Sequence, residues 1–306
     1  MRAMNFPQRR LMQDLKKQFE IPGIVRVESG NGGLTKIVVS SPKATAEIYL
    51  HGAHITHFQP AGHQPVLWMS KSAVFQPGKP IRGGVPICFP WFGPRQGDAN
   101  APAHGFIRLL EWQIESITQN NGEVIVTLMR QSDEASKKWW PADFVLRHVV
   151  TIGSQLKMTL RMTNRSKEAI RFQEALHTYM NVSDIRQIKV EGLAGAKYID
   201  HLDAKKIKEQ NGSVNFVGET DRVYFDNEAT CTVIDPVLKS SIKISKSGSK
   251  STVVWNPWIA KAKAMSDFGD DEWPGMLCVE TANVHQNEIE LAAGATHEMS
   301  AILGVL

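Results

Sequence analysis

The feature of this sequence that most limits what it can fold into is a succession of short β-like runs, cut by Gly, Pro, Asn and Ser, from Ile24 nearly to the last residue. They cover residues 24–27, 35–39, 45–50, 66–68, 123–129 and 144–152, then 155–162, 169–173, 230–234, 241–244, 276–279 and 297–303. Within them Ala46, Ile48 and Leu50 alternate with Thr45, Glu47 and Tyr49, the period-two pattern of a strand with two unlike faces. Asn121-Gly122 and Ile152-Gly153 supply turns between runs. Helical patterns are few: the N-terminal segment, a turn or two over residues 133–138, and the stretch near Lys205. Without helices alternating with strands to build βαβ units, the pattern predicts an all-β protein, a large antiparallel sandwich with a few short helices. The most polar run, residues 245–251, reads as a hairpin tip, and no linker divides the chain.

Charge and cysteine usage narrow the function. Lys and Arg number 35 against 31 Asp and Glu, a net charge of +4. With no basic run beyond the N-terminus, that balance suits a local anion site and not a nucleic-acid surface. Cys88, Cys231 and Cys278 are odd in number, far apart and set in apolar runs, so they read as buried free thiols of a reducing compartment. The first twenty residues place Leu11, Leu15 and Phe19 at helical spacing, an amphipathic face too narrow for a membrane. No apolar secretion segment is present, and Asp14 and Glu20 argue against a transit peptide despite Arg2, Arg9 and Arg10. The expectation is a cytoplasmic monomer without nucleic-acid or membrane partners, built as a helical extension over residues 1–23 and a single sandwich domain over 24–306.

The chemistry concentrates in residues 80–94, PIRGGVPICFPWFGP, and in His104, Gly105 and Arg108 of HGFIR. Arg82 precedes two glycines, a backbone that a ligand can approach closely. Pro86, Pro90 and Pro94 forbid a regular helix and leave a stiff loop or broken strand carrying Phe89, Trp91 and Phe92. The plainer alternative is a core-lining loop with one surface arginine. His51, His54 and His57 recur every three residues. In an unbroken strand His51 and His57 share a face, while a bulge at Gly52 separates them, so spacing alone leaves zinc open although no carboxylate or cysteine completes a set. His177, after a strand-like run and before Asn181, Ser183 and Asp184, reads either as an interior histidine bonded to a carbonyl or as a group at a cavity mouth. Glu280 ends the apolar run 276–279, and a carboxylate there is either paired with a cation or held for proton transfer.

Taken together, PIRGGVPICFPWFGP, HGFIR, ALHTY, ETDRVY, VVWNPW and CVETANV resemble the hexose-6-phosphate mutarotases (glucose-6-phosphate 1-epimerases) of the aldose 1-epimerase, or galactose mutarotase, superfamily. The resemblance runs from about Ile24 to the C-terminus and implies a galactose mutarotase-like β-supersandwich. It implies His177 as general acid, Glu280 as general base, and Arg82, Arg108 and Asp221 as contacts to a hexose 6-phosphate, with His104 facing the same site. Ala103 stands where some relatives have Gln, and Gln96 is the neighbour placed to replace that contact. Arg82 and Arg108, joined by Arg95, would cradle the phosphate, while Asp221 or Asp184 would keep His177 charged and Trp91, Trp255, Trp258 and Trp273 offer apolar faces. No cofactor and no metal is implied. The alternative of a non-catalytic sugar-phosphate-binding module on the same fold keeps the arginines but has no use for both proton-transfer groups. A polysaccharide hydrolase or lyase would want a second carboxylate, which no motif here supplies.

Overall fold

The computed structural model describes residues 6–306, so the expectation placed on Arg2 lies outside it. Among the described residues the larger of two main sheets has nine strands. Its order is Val214–Asn215, Lys189–Glu191, Cys231–Asp235, Ser240–Ser247, Thr296–Val305, Gln155–Asn164, Phe144–Ile152, Glu123–Gln131 and Gln113–Asn120, all antiparallel. Phe144–Ile152 shows how the pattern dictates the layer: Phe144, Leu146, His148, Val150 and Ile152 are buried and the residues between them are half-exposed. Asn121 and Gly122 both take positive φ, 49° and 77°, the conformation required by a tight two-residue hairpin.

The second sheet runs Lys206–Glu209, Lys197–Asp200, Thr220–Tyr224, Ser251–Asn256, Met276–Asn283, Glu174–Leu176 and Ile87–Cys88, with Tyr179–Asn181 also paired to Met276–Asn283. Its central strands, Ser251–Asn256 and Met276–Asn283, are buried on both faces throughout. This is why 276–279 reads as an unbroken apolar run and not as an alternation. One face joins a continuous core with the nine-stranded sheet and with the four-stranded sheet Val25–Ser29, Thr35–Ser40, Ala44–Tyr49 and His54–Pro60. The other face is the floor of a cavity. Ile170–Phe172 and Ile289–Leu291 form a separate antiparallel pair.

Four local expectations change. The N-terminal helix Phe6–Phe19 packs Leu15 and Phe19 on the core as expected, while Leu11 is 56% exposed and the buried Met12 takes its place in the apolar stripe. The stretch near Lys205 is a turn with Ala204 and Lys205 at positive φ leading into the strand Lys206–Glu209, and the helix instead lies at Trp258–Ala264. The run 66–68 holds a bridge, Leu67 to Met180, and not a strand. The polar run 245–251 is no hairpin tip but the crossover between the two large sheets. Ser249 and Ser251 are buried there because Ser249 Oγ donates to the Ala282 carbonyl (2.8 Å) and Lys246 Nζ to the Ser251 carbonyl (2.9 Å), polar pairings that burial makes obligatory. The helix expected over 133–138 forms as Glu134–Trp139, capped by the Asp133 side chain on the Ser136 N–H.

Candidate active site

Register alone assembles the floor of the cavity. Asp221 lies opposite Trp255 and Val223 opposite Val253; Val253 in turn faces Glu280, and Trp255 faces Cys278. Tyr179 also pairs with Cys278, and Ala282 with Ala175, which pairs with Cys88. Since successive side chains alternate between faces, all of these project to one side. Phe92 packs at the edge of the apolar part of this floor. Above it opens a cavity of about 1040 Å³ whose lining includes Glu280, His177, Asp221, Arg82, Arg108 and His104.

The proline-rich segment reaches this cavity by running beside the histidine segment. Tyr179 N–H donates to the Gly84 carbonyl (2.8 Å) and His177 N–H to the Pro86 carbonyl (3.0 Å). The two glycines after Arg82 serve this packing and not the approach of a ligand: a Cβ on Gly84 would stand 2.1 Å from the Ile55 carbonyl oxygen, and one on Gly83 2.6 Å from that of Trp68. Ile87–Cys88 is a two-residue strand between prolines, and Phe89 to Pro90 is a cis peptide. Phe89 also binds the second motif, since its N–H donates to the His104 carbonyl (3.2 Å) and its carbonyl accepts from Phe106 (3.1 Å).

At the centre His177 Nε2 lies 3.3 Å from Glu280 Oε1, with His177 7% and Glu280 1% exposed. Glu280 does not end its strand, as the apolar run suggested; the strand continues to Asn283 and places the carboxylate in mid-sheet. Burial holds the Glu280 carboxyl well above its ordinary range, with Asp221 adding to the shift and Arg108 opposing it. Burial likewise holds the His177 imidazole well below its usual value, helped by the positive charges of Arg108 and Arg82. The Asp partners expected for His177 are engaged elsewhere. Asp221 pairs with His201 Nδ1 (3.0 Å) and approaches Lys261 (4.0 Å), and Asp184 is tied to Arg186.

The arginines divide into unlike environments. The Arg82 guanidinium makes a two-point pair with Asp267, NH2 to Oδ1 at 3.1 Å and Nε to Oδ2 at 3.3 Å, and NH1 donates to the Tyr179 hydroxyl at 2.9 Å. Arg108 donates through NH2 to the Ala103 carbonyl (2.8 Å), its Nε has no partner, and burial lowers its pKa. Arg95 stacks over Trp91 at 4.7 Å and donates to the Trp139 carbonyl (2.6 Å). Gln96 and Ala103 line the same cavity, so the expected catalytic and substrate-contact residues all meet there, while Asp184 does not. Trp91 and Trp255 line it as well, whereas Trp258 and Trp273 pack on each other at 4.3 Å, tilted by 43°, and are not part of the lining.

Sequence reasoning missed His201, Lys205, Lys261, His285 and Gln173, which also line the cavity. They sit in segments without a recognisable motif; only the positive φ of Lys205 and His285 marks them, and that is invisible in the sequence. The HGAHITH histidines do not converge. His51 bonds the Lys79 carbonyl, His54 the Gly83 carbonyl and His57 Thr45 Oγ1, and burial pushes His54 down to about 3. No group of three metal-ligating side chains occurs among the described residues.

Comparison with known proteins agrees with this geometry. The family model described as aldose 1-epimerase matches residues 35–303. The chain belongs to the aldose 1-epimerase family. It is 38% identical over 249 residues to a Salmonella typhimurium protein named "Putative glucose-6-phosphate 1-epimerase", covering 81% of this chain and 83% of that one. An Escherichia coli protein of the same name is 37% identical over 281 residues, 90% and 93% of the two chains. A crystal structure of a "putative mutarotase" from Salmonella typhimurium superimposes with a TM-score of 0.87 at 31% identity, over 96% of this chain and 99% of that one. The antiparallel architecture and the isomerase class expected from the sequence therefore both stand. As a family member the protein is an isomerase that acts on sugar anomers.

Proposed function

We propose that this aldose 1-epimerase interconverts the α and β anomers of glucose 6-phosphate and related aldohexose 6-phosphates, with Glu280 as base and His177 as acid. The observation that carries the reading is the 3.3 Å contact between these two groups on the cavity floor. In anomerisation the hydroxyl oxygen that loses a proton and the ring oxygen that gains one are attached to the same carbon, so acid and base must be neighbours. Glu280 takes the proton from the C1 hydroxyl, the C1–O5 bond breaks as C1=O forms, and His177 delivers a proton to O5. Rotation about C1–C2 and the reverse transfers close the other anomer. The pair holds one proton between them: burial favours the resting arrangement with that proton on Glu280 and a neutral His177, and the working form, carboxylate beside imidazolium, differs from it only by transfer of the proton across the 3.3 Å contact.

Arg108, His104, Arg95, Gln96 and Asp221 are the proposed substrate contacts. Arg82 joins them with two guanidinium N–H bonds left over, but its charge is already balanced by Asp267. Arg108, which has no carboxylate partner, is accordingly given the larger share of the phosphate. The names carried by the relatives support the phosphate-bearing substrate. The binding-module alternative leaves the opposed acid and base without a purpose. We further place the protein as a cytoplasmic monomer, one sandwich unit over 24–306 with a helical extension; the three free, buried cysteines suit a reducing compartment. No helix among the described residues is long and apolar enough to cross a membrane. The test is anomer exchange measured by NMR on glucose 6-phosphate beside free glucose. Acceleration of the phosphorylated sugar supports the assignment, and exchange no faster than in buffer refutes it.

A further inference from the structure

His177 lacks the usual device that orients a catalytic imidazole. Its second ring nitrogen, Nδ1, is buried and meets no hydrogen-bonding group beyond the backbone of His177 itself, so no carboxylate or carbonyl of another residue fixes the plane of the ring from behind. A face contact does so instead. The Tyr179 ring lies parallel to that of His177, 10° between planes and 4.8 Å between centroids. Tyr179 is 2% exposed and is backed in turn: Trp68 stacks on it at 5.7 Å and 18°, and Phe268 packs against Trp68 at 5.0 Å with the rings tilted by 33°. Its hydroxyl accepts from Arg82 NH1, and Arg82 is held by both oxygens of Asp267. Asp267 and Phe268 are adjacent in one loop, which Glu272 ties to Ser70 Oγ (2.7 Å) and the Lys71 N–H (2.9 Å). One loop therefore fixes both the face and the hydroxyl of the tyrosine that lies against His177.

We propose that Tyr179 is a positioning residue, fixed by the Asp267–Arg82 pair, that sets the plane of the His177 imidazole so that Nε2 points at the reacting oxygens. The inference rests on the proposed role of His177. It gives Arg82 a duty beyond substrate contact and gives Asp267 a role in turnover although it does not line the cavity. A ring free to tilt loses alignment for proton transfer, and small misplacements of a reacting group cost up to about a hundredfold in rate.

The test measures kcat and KM for anomer exchange on glucose 6-phosphate in Tyr179→Leu, Tyr179→Phe, Asp267→Asn and the Phe/Asn double variant. It also records the ring-proton NMR signals of His177, which the stacked tyrosine shifts upfield. Tyr179→Leu should lower kcat by about tenfold or more, leave KM within about twofold, and abolish the upfield shift. Tyr179→Phe and Asp267→Asn should each lower kcat by a few-fold, and together no further than the worse of the two, because both cut one tether. Additive losses in kcat, or a folded Tyr179→Leu variant with wild-type kcat, would overturn the proposal. If the leucine variant does not fold, the tether cycle decides, since Asp267 is partly exposed. A wild type that fails to exchange anomers would defeat the functional reading, and the His177 signals would still show whether Tyr179 and Asp267 hold the ring.

Discussion

At the scale of single residues the site is a contest between burial and charge. Glu280 and His177 were legible in the sequence because one follows a run of four apolar residues and the other interrupts a strand-like segment. What was not legible is how far from solvent both stand, because that depends on strands more than fifty residues away. The sequence reading would keep His177 charged beside Asp221 or Asp184; in the folded protein its pKa lies well below the ordinary 6.5 and that of Glu280 well above its ordinary 4.5. The single proton of the pair is therefore lost only above the raised value and a second is added only below the depressed one. We predict a rate plateau across neutral pH, wider than two ordinary groups would give; a narrow optimum falling away on both sides of 6.5 would contradict it. Glu280→Gln should lower kcat by about a hundredfold or more, yet stabilise the fold. The sign follows from linkage: a raised carboxyl contributes stability present below 4.5 and lost as pH rises toward the folded value. The melting advantage of the variant should grow from pH 5 to pH 8, and a shrinking advantage would show the carboxyl is not raised. Arg108→Ala should weaken use of glucose 6-phosphate by roughly tenfold or more through loss of charge-assisted bonds, with little effect on any residual turnover of free glucose. Arg82→Ala, in contrast, should impair both sugars, and a loss confined to the phosphorylated one would return the phosphate to Arg82.

At the scale of elements, the strands were easiest to read where one face meets solvent, as in Phe144–Ile152, whose observed limits match the predicted run. Short or irregular strands such as Lys197–Asp200 and Lys206–Glu209 gave no signal, since few apolar residues mark them and their pairing is what makes them strands. The polar crossover at 245–251 misled for the opposite reason: composition said surface, but hydrogen bonds allow serines to be buried between sheets. In the sequence Gly83 and Gly84 read as room for a ligand and Gly105 has no evident role, whereas all three face neighbouring backbone. Gly105 has φ 74°, and a Cβ there would stand 1.9 Å from the Phe89 carbonyl oxygen. That oxygen is the acceptor that fastens HGFIR to the proline-rich segment. Gly105→Ala must therefore shift one backbone against the other, carrying His104 and Arg108 with it. The expected result is a protein that melts lower by several degrees, from strain of about 1–3 kcal/mol, with KM for glucose 6-phosphate raised severalfold. Unchanged melting and unchanged KM would mean that the contact relaxes without moving the two side chains.

At the scale of the whole molecule, the enzyme needs a sheet buried on both faces, one to make a core and one to make a site. The nine-stranded sheet gives the first face its cover and leaves the second to the motif-bearing loops, which is why residues scattered from Arg82 to His285 line one cavity. The antiparallel class and the family were visible in the order of the motifs, whereas the division into two large sheets, and the side of the sheet on which each residue falls, required the register. The same view bears on the N-terminal helix. Phe6–Phe19 places Met12, Leu15 and Phe19 on the core, far in sequence from the catalytic pair, and contributes no residue to the cavity. If residues 24–306 are one sandwich unit and the helix an extension, a chain beginning at Ile24 should fold and exchange anomers within about twofold of the full protein. Losing the burial of Met12 alone is worth about 1.5–3 kcal/mol. The truncated chain should therefore melt lower by several degrees, at about 2–4 °C per kcal/mol for a chain of this size. Calorimetry beside the anomer-exchange assay separates the outcomes: reduced melting with retained turnover supports the boundary. A truncated chain that folds but has lost turnover would place the helix within the catalytic unit, coupled to the site through the core that it covers.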